Sequence, residues 1–411
     1  RPTAAAEAFR PSRMDAYLGQ WLNLALRWGH VITGIAWIGT SFYFNWLNSR
    51  LAPPPPERSE PGLEGELWSV HGGGFYRVVK YAVAPEHLPR TLHWFKWEAY
   101  ATWLTGFALL VLVYYLGAAS FLVDAHGSRL GPRAAIAAGI GTLVLSWLVY
   151  DAVCRSPLGH RSLALAALLF VLGTALAWGL SQLLSARAAY VHVGAAIGTI
   201  MAANVLMVII PSQQDMVAAL MQGRAPDARR GAQAALRSLH NNYLTLPVLF
   251  IMVSSHYPAT YGHAHSWAIL AALSLIGVAT RHWFNLKNRG RRNAWLLPAA
   301  ALGLLTLALA TAPRSGPASA GAGDAVSFAE VRVIVARRCA ACHSSAPTMA
   351  GLPVAPLGVL LDTPDQIRAT APRILAVAVE AQTMPLGNVT GMTPEERALV
   401  GRWIRAGAAL R

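Results

Sequence analysis

The stretch "VARRCAACHSS" (335–345) divides this chain into two unlike parts. It holds Cys339, Cys342 and His343 in the order C-x-x-C-H. Two thiols one helical turn apart can each add to a vinyl group of one haem, and the adjacent imidazole then lies under the iron. A sixth ligand is expected downstream, where "QTMPLGNVTGM" (382–392) supplies Met384 in a Pro/Gly loop. Met349 and Met392 compete for that role, but Met349 is too close to His343 to wrap to the far face. A zinc reading of the cysteine pair needs further ligands, and the remaining cysteine, Cys154, lies far upstream. After Met384 comes "TPEERALVGRWIRAGAAL" (393–410), where Thr393 and Glu396 form a capping box with Pro394 at the first helical position. Residues 327–411 therefore read as a small α-helical cytochrome c domain carrying haem c.

What precedes it is too apolar for water. The 411 residues are 55% hydrophobic and 13% charged, against about 25% charged in soluble domains. Membrane spans of about 20 apolar residues are expected. Eight candidates run at roughly 17–47, 97–118, 133–153, 162–183, 188–210, 243–256, 265–284 and 294–312. The fold class expected is all-α: a polytopic bundle over 14–312, then the cytochrome. Residues 313–326, "APRSGPASAGAGDA", read as a flexible linker, and 1–13 as an N-terminal extension without a signal-peptide core.

The net charge of +15 would suggest nucleic acid in a soluble protein. Here the basic residues gather in alternate loops: Arg155 and Arg161, then Arg224, Arg229 and Arg230, then Lys287, Arg289, Arg291 and Arg292. Such loops orient spans with their basic ends in the cytoplasm. The partner implied is a lipid bilayer, the bacterial cytoplasmic membrane, and no nucleic acid. With eight spans both termini fall outside, where c-type cytochromes mature, so the cytochrome is expected in the periplasm.

Histidines inside spans are costly and mark candidate sites. His30 in "RWGHVITGIAWIGTSFYF" (27–44) and His192 in "YVHVGAAIGTIMAANV" (190–205) fall in spans 1 and 5 at similar expected depth. The pair suits two axial ligands of a haem b; it also suits hydrogen bonds within helices and a Gly194/Gly198 packing motif. His256 and His282 are weaker ligand candidates. A second polar group gathers at the cytoplasmic ends: His71 before three glycines, Glu98, Gln213, Gln214, Arg237, His240, Asn241 and Asn242. Together they offer donors and acceptors for a planar, polar anion. Singly, each also reads as a cap, an interfacial residue or a positive-inside arginine.

The stretches "MDAYLGQWLNLALRWGHVITGIAWIGTSFYFNW", "HGGGFYRVVKYAVAPEHLPRTLHWFKWEAYATW" and "RSLHNNYLTLPVLFIMVSSHYP", with the "CAACH … TMPLGNVTGMT" tail, resemble the bacterial membrane-bound urate hydroxylases. That resemblance implies oxidation of urate to 5-hydroxyisourate with oxygen from water. Electrons would leave through haem c to a soluble cytochrome c or another respiratory-chain acceptor. It carries the haem c ligands onto Cys339, Cys342, His343 and Met384. The chemistry then suggests Arg237 against the urate charge, Gln213, Asn241 and His71 on its polar edges, and Glu98 or His240 as proton acceptor. One haem c takes one electron, so two must leave in succession or through a second centre. The other readings are an electron-relay subunit, a quinol-oxidising cytochrome, and a transporter or sensor.

Overall fold

The structure is a computed structural model that describes residues 13–82, 85, 88–89, 91–123, 129–312, 326–349, 352 and 354–410. The expected extension 1–13 and linker 313–326 lie outside those residues, apart from Arg13 and Val326. Among the described residues, the N-terminal part is built on eight long helices. They are α1 (Arg13–Arg50), α2 (Trp97–Tyr115), α3 (Pro132–Arg155), α4 (Ser162–Leu183), α5 (Ala186–Met221), α6 (Ala228–Ser254), α7 (Ser266–Asn288) and α8 (Leu296–Ala310). Five of them, α2, α3, α4, α5 and α7, are long and apolar enough to cross a membrane. The other three expected spans are also helical. However, α8 has only 15 residues, while α1 and α6 mix apolar turns with polar ones.

Helix α5 lies at the centre, which its small residues explain. Ala188, Ala189, Val193, Gly194 and Ala196 are all buried. A Cβ at Gly194 would stand 2.5 Å from Ile251 Cγ2 of α6, so only glycine lets these helices meet here. Gly198 has no such neighbour, and only the first glycine of that motif packs. Successive helices run in opposite directions. Trp103 Nε1 donates to Thr199 Oγ1 between α2 and α5, and Gly277 of α7 seats against Leu246 and Pro247 of α6. The basic loops after α3, α5 and α7 therefore share one end of the bundle.

The segment between α1 and α2 corrects the all-α expectation. Strands β1 (Leu63–His71) and β2 (Gly74–Tyr81) form an antiparallel hairpin with His71 opposite Gly74. Gly72 and Gly73 both have positive φ, +57° and +80°, the pattern of a two-residue type I′ turn. The glycines after His71 serve a chain reversal. Buried Glu66 anchors the hairpin by accepting from Arg77 Nε at 2.7 Å and Arg58 Nη2 at 2.9 Å.

The C-terminal part folds as α9 (Phe328–Arg338), α10 (Pro364–Ile374) and α11 (Pro394–Arg405). Each begins with a capping box: Ser327 with Glu330, Thr363 with Gln366, and Thr393 with Glu396. Phe328, Val331, Val335, Ile367, Ile374, Val400 and Trp403 form a core separate from that of the bundle. This unit sits at the end of the bundle opposite the basic loops. Ala381 packs on Gly262, where a Cβ would lie 2.5 Å from its own, and Gly387 packs on the Ser120 and Val123 carbonyls.

Candidate functional site

The C-x-x-C-H run begins where α9 ends. Cys339 caps that helix, and its backbone carbonyl accepts from the N–H groups of Cys342 and His343. This turn keeps both thiols and the imidazole on consecutive positions of one winding. Both cysteines are free thiols, and burial pushes Cys339 up to about 11. His343 Nδ1 lies 3.2 Å from the Val359 carbonyl oxygen, which can only accept. Nδ1 therefore carries the proton and Nε2 keeps its lone pair, the form a metal requires. Burial also pushes the His343 pKa down, favouring that neutral form.

Three methionines compete for the opposite side. Met349 is tied to the attachment turn, its N–H donating to the Ala341 carbonyl. Met392 is 3% exposed within the hydrophobic core. Met384 packs against that core from the edge, as Cys339 does. Arg397 holds its loop from beneath, donating to the Met384 carbonyl at 2.6 Å and to Asn388 Oδ1 at 3.3 Å. Arg338, beside Cys339, forks onto Glu396 with contacts of 2.9–3.1 Å, and Thr390 Oγ1 donates back to the Arg338 carbonyl. The attachment turn and the terminal helix are thus clamped together. Burial pulls the Glu396 carboxyl up, but the Arg338 and Thr393 hydrogen bonds and the arginine charges leave it below the usual range. A pair of thiols, an imidazole with one free nitrogen and an edge methionine on one core suit a covalently attached haem.

The membrane-domain residues fall into different places. Arg237, His240 and Asn241 do come together, in one network between α3, α5 and α6. Arg237 is 5% exposed, and its Nη2 donates to Asp151 Oδ1 at 2.6 Å. The guanidinium stacks over Tyr150 at 4.9 Å and contacts Asn204 Oδ1 at 3.4 Å. Asn204 Nδ2 donates to the Tyr150 hydroxyl and to Asn241 Oδ1, and Asn241 Nδ2 donates to the Met201 carbonyl. The Tyr150 hydroxyl also hydrogen-bonds with His240 Nδ1 at 2.7 Å. Each group is satisfied inside the network. The expected roles of Arg237 against a substrate charge and of His240 as proton acceptor meet groups already engaged: Asp151 faces Arg237, and the Tyr150 hydroxyl faces His240 Nδ1.

Two more expectations fail on geometry. Gln213 is exposed, because α5 turns the neighbouring Ser212 inward. His71 is exposed at the hairpin tip, away from the network. Glu98 is retained. It opens α2 with Oε2 buried and unpartnered. Thr102, one turn later, faces Gly34, and Phe95 meets Phe44, so Glu98 lies along α1 between those contacts.

His30 and His192 do not meet. His30 Nδ1 lies 3.0 Å from the Thr102 carbonyl and 3.1 Å from Thr105 Oγ1. His192 packs beside Tyr114 and Tyr115, and its Nδ1 donates to Ala188 O at 2.8 Å. From Thr105 to Tyr114 is about 13 Å along α2 at the helical rise of about 1.5 Å per residue. Two axial ligands of one iron need a far closer approach, so this pair does not fit the expected haem b.

A further cluster, of which the sequence pointed only to Asn242, lies at the basic-loop end, between α1, α6 and α7. Arg281 is 4% exposed, stacks over the Phe42 ring at 3.8 Å, and forms no ion pair among the described residues. Its Nε and Nη2 are buried without partners. One turn on, Asn285 Nδ2 donates to Asn242 Oδ1 at 2.8 Å, leaving the Asn242 Nδ2 buried and unpartnered.

Residues 16–312 match the family described as urate oxidase N-terminal. No curated protein and no solved structure matches the chain. That match covers most of the sequence, and the chain belongs to this family.

Proposed function

We propose that this member of the urate oxidase N-terminal family is a membrane-bound urate hydroxylase whose electrons leave through its own C-terminal haem c. The overall step is urate plus water giving 5-hydroxyisourate, two protons and two electrons. Water supplies the oxygen, so no oxygen molecule is consumed at the site. The observation that carries the reading is the docking of the C-terminal unit. The loop that bears Met384 is the surface resting on the bundle, with Gly387 against the Ser120 and Val123 carbonyls. Cys339, Cys342, His343 and Met384 are the residues that would hold a covalent haem, and such a group would supply one-electron transfer.

The chain's own residues have distinct tasks. Glu98, a half-buried carboxylate with one free oxygen at the basic-loop end, would take a proton as the purine ring is oxidised. The Asp151–Arg237–Asn204–Asn241 network holds α3, α5 and α6 in register around that end. Arg397 and Arg338 fix the Met384 loop and the attachment turn. The basic loops lie at the opposite end from the C-terminal unit, which supports a periplasmic cytochrome in the bacterial cytoplasmic membrane. The acceptor beyond it is a soluble cytochrome c or another respiratory component.

The test is an anaerobic turnover in water enriched with oxygen-18, with ferricyanide as terminal acceptor. The reading expects labelled 5-hydroxyisourate and two ferricyanides reduced per urate. Unlabelled product, or no product, would refute it. Replacing Met384 with Ala should leave haem attached and shift its potential; unchanged redox behaviour would assign the ligand to Met349 or Met392.

A further inference from the structure

The Arg281 cluster presents a problem that the fold itself does not solve. A buried guanidinium among spans is costly without a counter-charge. Arg237, at the same end, has Asp151; Arg281 has the face of Phe42 and no carboxylate within 4.0 Å among the described residues. Its two unpartnered atoms are Nε and Nη2, which lie on one edge of the guanidinium plane. That edge is a fork of two parallel N–H donors, suited to two adjacent acceptors in one plane. Asn242 adds a third donor. Asn285 fixes its amide by bonding to Oδ1, which turns Nδ2 away, and Asn242 is 0% exposed. Every free group at this spot is a donor.

We infer that Arg281 and Asn242, over the Phe42 ring, form the pocket that holds a planar purine monoanion. A purine deprotonated at a ring nitrogen next to a carbonyl offers an N and an O acceptor side by side, the partner of the Arg281 fork. Its charge is the counter-charge that Arg281 lacks, and its plane can continue that of the guanidinium stacked on Phe42. A neutral purine keeps a proton on that nitrogen, and its N–H would face a donor, so the pocket selects the anion. The inference rests on the urate reading for the identity of the ligand.

The experiment is equilibrium dialysis of radiolabelled urate against the full-length protein held reduced with dithionite. The reduced protein cannot oxidise urate, so binding is measured apart from turnover. Wild type, Arg281→Gln, Arg281→Lys and Asn242→Ala are compared, each checked for haem content and thermal unfolding. Wild type should bind urate. Arg281→Gln should weaken binding by more than about tenfold, and Arg281→Lys, which keeps charge and loses the fork, should fall between. Asn242→Ala should weaken it less. No binding by wild type, or equal binding by a folded Arg281→Gln, would overturn the inference. If binding is lost in Arg281→Gln while urate fails to reduce the oxidised wild type, the pocket stands and the hydroxylase reading falls.

Discussion

Arg237 and Arg281 are a matched pair with opposite surroundings. Both are buried, at 5% and 4% exposure, and both stack on an aromatic ring at the same end of the bundle. Arg237 is closed: Asp151 neutralises it and Asn204 takes a further N–H. Arg281 is open along one edge. A buried charge that the fold has paired serves to fix helices; one that it has left unpaired is available to a ligand. The difference lies in the partner, which is why neither role follows from an arginine alone.

The largest effect should come from breaking the closed side. Asp151→Asn leaves Arg237 buried without its counter-charge, and removing one member of such a pair costs about 3–5 kcal/mol. Detergent-solubilised variant should unfold at clearly lower denaturant or temperature; an unchanged midpoint would mean that the network is not structural. Next comes the contact between the two parts. At Gly387 a Cβ would sit 2.7 Å from the Ser120 carbonyl oxygen, and φ is +54°. Gly387→Ala should therefore lift the Met384 loop and slow urate-driven haem reduction several-fold while haem content stays constant. Equal rates would show that the docking does not carry the electrons. The open side should behave in the contrary way. Arg281→Met removes a charge that has no partner, so stability should stay within about 1 kcal/mol of wild type or rise. A loss as large as that of Asp151→Asn would erase the distinction between the two arginines.

The smallest effect is a pH dependence outside the membrane. Glu396 and Glu330 both have carboxyls below the ordinary value of 4.5, Glu396 through Arg338 and Thr393 against the pull of burial, and Glu330 through Ser327. A lowered folded value stabilises above the unfolded pKa, and that contribution is lost as pH falls through the folded one. The C-terminal unit should therefore show constant stability above about pH 5 and lose it progressively below. The Glu396→Gln variant should show a shallower decline, read by the haem Soret band during acid titration.

Much of this was legible in the residues. The helices of the bundle follow from apolar runs, and the Thr393/Glu396 capping box was visible as a four-residue pattern. The hairpin is absent from the expected all-α fold, although Gly72-Gly73 between alternating strands is the signal for one. Arg237 was found, but its partner Asp151 is 86 residues away, and only the fold brings the two together. Arg281 is not legible in the sequence, because burial of an arginine without an acid has no sequence signature. That Ser212 is buried while Gln213 is exposed depends on helical phase, which cannot be judged without the neighbouring helix. The depth of His30 against His192 failed for a similar reason: the offset along α2 depends on how three helices stagger.

The most direct test of the whole account is an anaerobic visible spectrum of the oxidised full-length protein before and after urate, with dithionite defining complete reduction. The account predicts that urate alone brings up the reduced c-type bands. Haem that dithionite reduces and urate leaves oxidised would contradict it.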